Sequence, residues 1–452
     1  MKKNYFIPSL LMLSLVSCND VMEDSQIGET PNVLSEQSNK RSYEEALLVA
    51  QQSISMLDDN SSPTRAEAQS RYIDLDKSTA IISSDKTLTR SSDADNDTLM
   101  YVFNFNDNQG FAIVSAEKAT EGLIAVTESG CYNPSDSTDT GFNRYMAAAK
   151  QYILANKNKE NPNPERAQVG QLEMVDTIGV YNISPRITVK WGQTGHEGEY
   201  CSNGHSGCSV TAAAMIMSYF EYPTEIQLTY NGQPYSYRNL NWTGMKSYIS
   251  VIEAPLLIHN CDTCTNDDHK SIGHLCRQLG KLTGSIYNNG DTETSVQTLR
   301  NVISNLGYTI GDYTSYEYLA NTNTLENLLS DGKLIYMRGE NINGEGHAWA
   351  IDGIYRYTVH YRWYEYEVNN EFPEFPILTL IDEQYNTYRY NHINWGFDGY
   401  NNGYYNDGVF SFYGYAYGYD DNTRIYHTTI QTLIQNDNYC DDLKFFSVYY
   451  NN

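Results

Sequence analysis

Three observations predict an α+β fold. Helical spacing of apolar residues governs residues 208–306, and period-two alternation governs much of the chain from residue 334 onward. A smaller stretch mixing both patterns lies upstream, set off by a polar segment containing Pro162 and Pro164. No internal repeat is visible. At 452 residues, with 40% hydrophobic and 19% charged side chains and only 12 prolines, the chain has the length for two or three domains. It lacks the composition of collagen-like, membrane-spanning or wholly disordered proteins.

The elements follow in order. Lys2 and Lys3 precede an apolar run over residues 5–16, too short to span a bilayer but of the right length for a secretory signal, so residues 1–17 read as an export segment. Residues 18–42 are polar and read as a tether. A helix over residues 43–57 is predicted by Ala46, Leu47 and Ala50, with Asp58, Asp59 and Asn60 as its stop. Residues 61–92 are rich in Ser, Thr and Asp and read as mostly loop. Residues 100–105 and 111–115 alternate around the turn-forming stretch 106–110, predicting a hairpin, and residues 123–127 add a strand. A helix over residues 142–154 closes a module spanning 43–156, and residues 157–180 read as a linker before a domain spanning 181–452. In that domain, residues 208–219 form a helix with Val210, Ala213, Ala214 and Met217 on one stripe, ending before Pro223. Residues 272–282 and 295–306 read as helices, and 334–337 and 347–354 as strands. The 40 tyrosines, concentrated near the C-terminus, predict a wet, amphipathic β surface.

Fifty-six acidic against 30 basic residues leave a net charge of −26, which repels phosphate backbones and argues against a nucleic-acid partner. The chemistry on offer is nucleophilic. Cys208 stands behind Gly207 where a helix begins, and a helix N-terminus lowers a thiol pKa from about 8.5 toward roughly 3.5–7.5. His347 opens an apolar strand behind the glycines at 344 and 346, the setting for a general base presented rigidly to a distant cysteine. Gln193, after Trp191 and Gly192, offers an amide to a developing oxyanion. Asn394 offers an acceptor to the His347 ring, with Trp395 shielding that contact from water.

Taken together, these segments resemble the streptopain family of papain-superfamily cysteine peptidases. The stretch from Gly207 to Met217, ending at Tyr222-Pro223, is similar to that family's nucleophile helix, and Gly346 to Gly353 is similar to its histidine strand. Asn394-Trp395-Gly396 is similar to its C-terminal hairpins, Trp191-Gly192-Gln193 to its oxyanion segment, and Gly110 to Ala116 to the core hairpin of its inhibitory prodomain. Met215 and Phe397-Asp398 depart from the family pattern. The resemblance implies a papain-like peptidase domain behind a prodomain over residues 43–156, self-maturation by cleavage in residues 157–180, and protein or peptide substrates. It implies no metal or organic cofactor. Leu15-Val16-Ser17-Cys18 is similar to a bacterial lipobox, which makes Cys18 a candidate lipidation site. The acidic tether resembles the export signals of Bacteroidetes surface lipoproteins. The expected product is an outer-membrane lipoprotein, touching the membrane only through its lipid, that is displayed at the cell surface or secreted after maturation.

Two other readings accompany this one: a binding or adhesin lipoprotein that keeps the fold without turnover, and a Cys-His hydrolase of cell-wall peptides. Of the eight cysteines, Cys131 falls in the prodomain, and Cys201, Cys261, Cys264, Cys276 and Cys440 leave one or two disulfides open with a thiol over. Cys201 is the rival nucleophile, lacking a helix to activate it. Cys261 and Cys264 with His259, His269, His274 and Cys276 nearby also offer a less favoured zinc site.

Overall fold

The computed structural model describes residues 39–58, 70–82, 87–89, 98–135, 140–157, 171–230, 233–247, 266–315, 324–340, 346–367, 377–410 and 444–450. The export segment, Cys18, most of the tether, Cys261, Cys264, Cys440 and the glycine at 344 lie outside them.

Helix α1 (Tyr43–Asp58) starts where Ser42 and Glu45 form a reciprocal cap. The Ser42 N–H donates to Glu45 Oε2 at 2.6 Å, and the Glu45 N–H donates to Ser42 Oγ at 3.2 Å. Its Ala46 and Ala50 face a sheet of β1 (Thr79–Ile82), β2 (Thr87–Thr89), β3 (Thr98–Asn104), β4 (Phe111–Ser115) and β5 (Leu123–Thr127), in the order β5-β4-β3-β1-β2. The β3–β4 hairpin is as predicted. β1 and β2 fall in the stretch expected to be loop, because such short strands are held by pairing to a neighbour more than by their own pattern. Helix α2 (Thr140–Asn156) completes this N-terminal module.

The remainder begins with β6 (Gln171–Ile183), which pairs with a later strand and so occupies the second half of the expected linker. A helical side follows: α3 (Cys208–Phe220), the hairpin β7 (Glu225–Tyr230) and β8 (Gln233–Asn239), α4 (Trp242–Lys246), α5 (Asn266–Thr283), the hairpin β9 (Ile286–Asn288) and β10 (Asp291–Glu293), and α6 (Val296–Asn305). After β11 (Thr309–Ile310), β12 (Thr314–Ser315) and α7 (Thr324–Ser330) comes the β side. It comprises β13 (Leu334–Glu340), β14 (Gly346–Glu367), β15 (Ile377–Asn394), β16 (Gly403–Asn406) and β17 (Lys444–Tyr449), all antiparallel neighbours in the order β11-β17-β13-β14-β15-β16. The architecture is α+β, as predicted.

One sheet joins the two parts. β16 pairs with β5 in register Gly403↔Thr127, Tyr404↔Val126 and Tyr405↔Ala125. A side chain at 403 would meet the Val126 carbonyl oxygen at 2.2 Å, so glycine is what lets the strands approach. Around this seam Tyr388, Tyr390 and Tyr404 are buried with Phe103, Val114 and Val126. These tyrosines are core, which corrects the expectation of a wet surface: the hydrogen-bonding tip of Tyr390 is satisfied by the Leu123 carbonyl at 3.3 Å.

Candidate active site

Helix α3 is buried along nearly its whole length, and Cys208 is its half-buried first residue. The preceding Gly207 has φ +87, and a side chain there would lie 2.9 Å from Thr292 Cβ, so both backbone conformation and space require glycine. Cys208 is a free thiol. Burial pushes its pKa up, opposed by a hydrogen bond from the Ala348 backbone, the Arg338 guanidinium and the Ser209 hydroxyl. The expectation of a lowered pKa is therefore not met in this state, where desolvation outweighs the helix terminus.

His347 lies near the start of β14, opposite Gly339 of β13, and Ala348 beside it is opposite Arg338. The backbone of Ala348, the residue after the histidine, hydrogen-bonds the Cys208 thiol, which brings the two expected catalytic residues to neighbouring positions. The imidazole is buried, and its Nε2–H donates to the Trp395 carbonyl at 3.2 Å. A carbonyl only accepts, so that nitrogen carries the proton. Trp349 and Trp395 flank the ring, each with its centroid 6.2 Å away. Gly141, in the first turn of α2, sits against the same imidazole. A Cβ at 141 would lie 2.6 Å from His347 Cδ2, 2.7 Å from Nε2 and 2.8 Å from Trp395. The N-terminal module therefore covers the histidine directly.

Asn394 ends β15 opposite Ala350, and both ends of its amide are spent elsewhere. Nδ2 donates to the Val189 carbonyl at 3.0 Å, and Oδ1 accepts from the Gly396 N–H at 3.2 Å. The expected Asn394 bond to the imidazole is not made; the Trp395 backbone takes that place. The Trp395 ring itself is buried against Trp349 at 5.2 Å and Tyr405 at 5.3 Å.

Gln193 lies in the loop between β6 and α3, which is tied to α3 by hydroxyls. The Ser206 N–H and Oγ donate to the Gln193 carbonyl at 2.8 and 3.2 Å, and Thr211 Oγ1 on α3 donates to the Gly192 carbonyl at 3.2 Å. Sequence reasoning did not find these tethers, nor Gly141, Arg338 and Glu197. Serines, threonines and a Glu among loop glycines read as solvated until the fold encloses them.

A second cluster crosses the seam between the two parts. His392 on β15 has Nδ1 2.6 Å from Asp352 Oδ1 and Nε2 3.3 Å from Oε1 of Glu128, just after β5. Asp352 Oδ2 also accepts from the Arg186 and Ile187 N–H groups at 2.9 and 2.6 Å. Burial opposes charge on His392, but the two carboxylates prevail and raise it to about 10. Burial likewise opposes charge on Glu128, yet His392 and neighbouring cations lower it to about 2.

Cys131, Cys201 and Cys276 are free thiols. Cys201 is buried with its sulfur 4.0 Å from the Tyr287 hydroxyl and lies in a loop. Of the suggested zinc ligands, His269 packs on His196 at 4.7 Å, His274 stacks on Tyr200 at 4.0 Å, and Cys276 is buried; His259, Cys261 and Cys264 lie outside the described residues. No group of three metal-ligating side chains occurs among the described residues, and no helix among them is long and apolar enough to cross a membrane.

Residues 187–405 match the Peptidase C10 family, and residues 32–153 match the Spi protease inhibitor. Over 301 residues the chain is 25% identical to streptopain of Streptococcus pyogenes serotype M1, covering 58% of this chain and 70% of that protein. Streptopain of S. pyogenes serotype M18 is 24% identical over the same length. Among solved structures, a fragment of Prevotella intermedia prointerpain A carrying a cysteine-to-alanine substitution covers 78% of this chain and 96% of its own. Its TM-score is 0.46 at 16% identity.

Proposed function

We infer, from the match of residues 187–405 to the Peptidase C10 family behind a segment similar to the Spi protease inhibitor, that the chain is the zymogen of a streptopain-like cysteine endopeptidase. The observation that carries this reading is Gly141 of the inhibitor-like segment seated on His347, beside the thiol of Cys208. In that position the imidazole gives its Nε2–H to the Trp395 carbonyl, and the thiol stays protonated.

Removal of the N-terminal module frees the ring to turn to the sulfur. His347 then takes the thiol proton, and Cys208 attacks the peptide carbonyl. The tetrahedral oxyanion is held by the Gln193 amide and the Cys208 backbone N–H, one of the unpaired donors of the helix N-terminus. The protonated imidazole returns its proton to the leaving amine, and water releases the acyl group by the same steps. Trp395 keeps water from the histidine. Because β6 begins at Gln171, the maturation cut belongs in residues 158–170, inside the expected linker. Export, lipidation at Cys18 and action on proteins complete the reading.

The test uses residues 19–452, with limited external cleavage of the linker, reductant and casein as substrate. The parent is expected to hydrolyse casein and the Cys208→Ala and His347→Ala variants to be inert. Equal turnover by parent and Cys208→Ala would refute the assignment. Casein left intact while cell-wall peptides are cut would move the substrate class.

A further inference from the structure

Glu197 is a carboxyl that the chemistry above does not use, and it is placed where it bears on that chemistry. It is 1% exposed, in the loop that carries Gln193, and its Oε1 accepts from the Gly192 N–H at 3.3 Å. Burying a carboxylate is strongly unfavourable unless it is paired. The groups that face Glu197 are its own and the Gly192 backbone N–H, the Asp398 carboxylate from the turn after β15, and the Cys276 thiol from α5. Burial, together with Asp398, pushes the Glu197 carboxyl up to about 8, against the two backbone N–H groups. It is thus a neutral acid through the neutral range.

The segment that Glu197 touches is held at three backbone groups. Gly192 N–H goes to Glu197, Gly192 C=O takes the Thr211 hydroxyl, and Gln193 C=O takes both donors of Ser206. Gly192 is also pressed by the Asp398 carboxylate, whose Oδ1 would lie 2.6 Å from a Cβ at that position. Two acidic side chains therefore approach one glycine, and ionisation of both sets like charges against each other there.

We propose that Glu197 is a positioning residue for the oxyanion segment, its buried carboxyl holding the Gly192 backbone N–H and so fixing the residue that precedes Gln193. The proposal rests on the peptidase reading. Ionisation of Glu197 favours its bonds to the backbone N–H groups but sets a second negative charge against Asp398 at the same glycine, and that repulsion displaces the segment, so oxyanion support falls as the proton is lost.

The test compares matured parent, Glu197→Gln and Glu197→Ala by kcat and KM across pH, and by alkylation of Cys208 with iodoacetamide, which forms no oxyanion. Loss of an oxyanion donor lowers kcat by about 10²–10³, and loss of its support should lower it by roughly tenfold. Glu197→Ala should therefore lose about tenfold in kcat with little change in KM and with alkylation at the parental rate. Glu197→Gln, which keeps a neutral acceptor, should restore kcat and remove a fall in activity centred near pH 8 that the parent shows. Alkylation falling in step with kcat, or Glu197→Gln retaining the alkaline fall, would overturn the proposal. A parent that alkylates at Cys208 but cleaves no peptide would instead overturn the peptidase reading on which it stands.

Discussion

Gly141 and Asn394 show how single residues decide the state of the site. An alanine in a helix interior ordinarily gains about 0.5–1 kcal/mol over glycine. At 141 the added methyl would overlap His347 and Trp395, and overpacking of that kind costs about 1–3 kcal/mol. The clash wins, so Gly141→Ala should loosen the first turn of α2 from the histidine and speed maturation, read as the rate of chain shortening. Unchanged or slower maturation would mean that this contact does not restrain the site. Asn394 holds Val189 and Gly396, and truncating it strands a buried carbonyl and a buried N–H at about 1–3 kcal/mol. Asn394→Ala should thus lower the Tm; a full Tm with a reduced kcat would return Asn394 to the orienting role the sequence suggested. Cys208 and His347 were legible because each stands beside a glycine at the mouth of a strongly patterned element. The Asn394 partner was not, because which acceptor faces an imidazole is settled by a few tenths of an ångström between neighbouring backbone and side-chain groups.

Among elements, the β5–β16 pairing and the Glu128–His392–Asp352 cluster beside it hold the N-terminal module to the rest. The electrostatic contribution has a definite pH window. Glu128 lies below its ordinary 4.5, so its contribution is present above that value and is lost as pH falls toward about 2. His392 lies above its ordinary 6.5, so its contribution is complete below 6.5 and is lost as pH rises through about 10. In the Cys208→Ala chain cut in its linker, the two pieces should co-elute most firmly between about pH 4.5 and 6.5, and Glu128→Gln should weaken that association. Indifference of the association to both pH and Glu128→Gln would show that strand pairing and buried tyrosines suffice. Helices α1, α2, α3, α5 and α6 were readable from apolar spacing. β6 was not: its outer residues, including Val175, Ile178 and Val180, are exposed, and it is a strand only because β14 offers it an edge. The tyrosines misled for a related reason, since burial against the other module cannot be read from one strand's pattern.

For the whole molecule, one continuous sheet makes inhibition and folding share a surface. Removing the first module takes away β5 as well as the contact on His347, leaving the edge of β16 unpaired. If Cys18 carries the lipid, the same cut separates the catalytic part from its anchor, and the matured enzyme should appear in the supernatant after membranes are sedimented; matured enzyme that stays in the pellet would show a second attachment. On this reading the N-terminal module restrains the site by seating Gly141 on His347, whose ring stays on the Trp395 carbonyl while the Cys208 thiol, its pKa raised by burial, keeps its proton. It is tested most directly by the rate of Cys208 alkylation by iodoacetamide at pH 7, followed by mass spectrometry, in the intact chain and after the module has been cut and separated. A rate that rises at least tenfold on removal, and that does not rise in His347→Ala, is the predicted result. Equal rates before and after removal would contradict it.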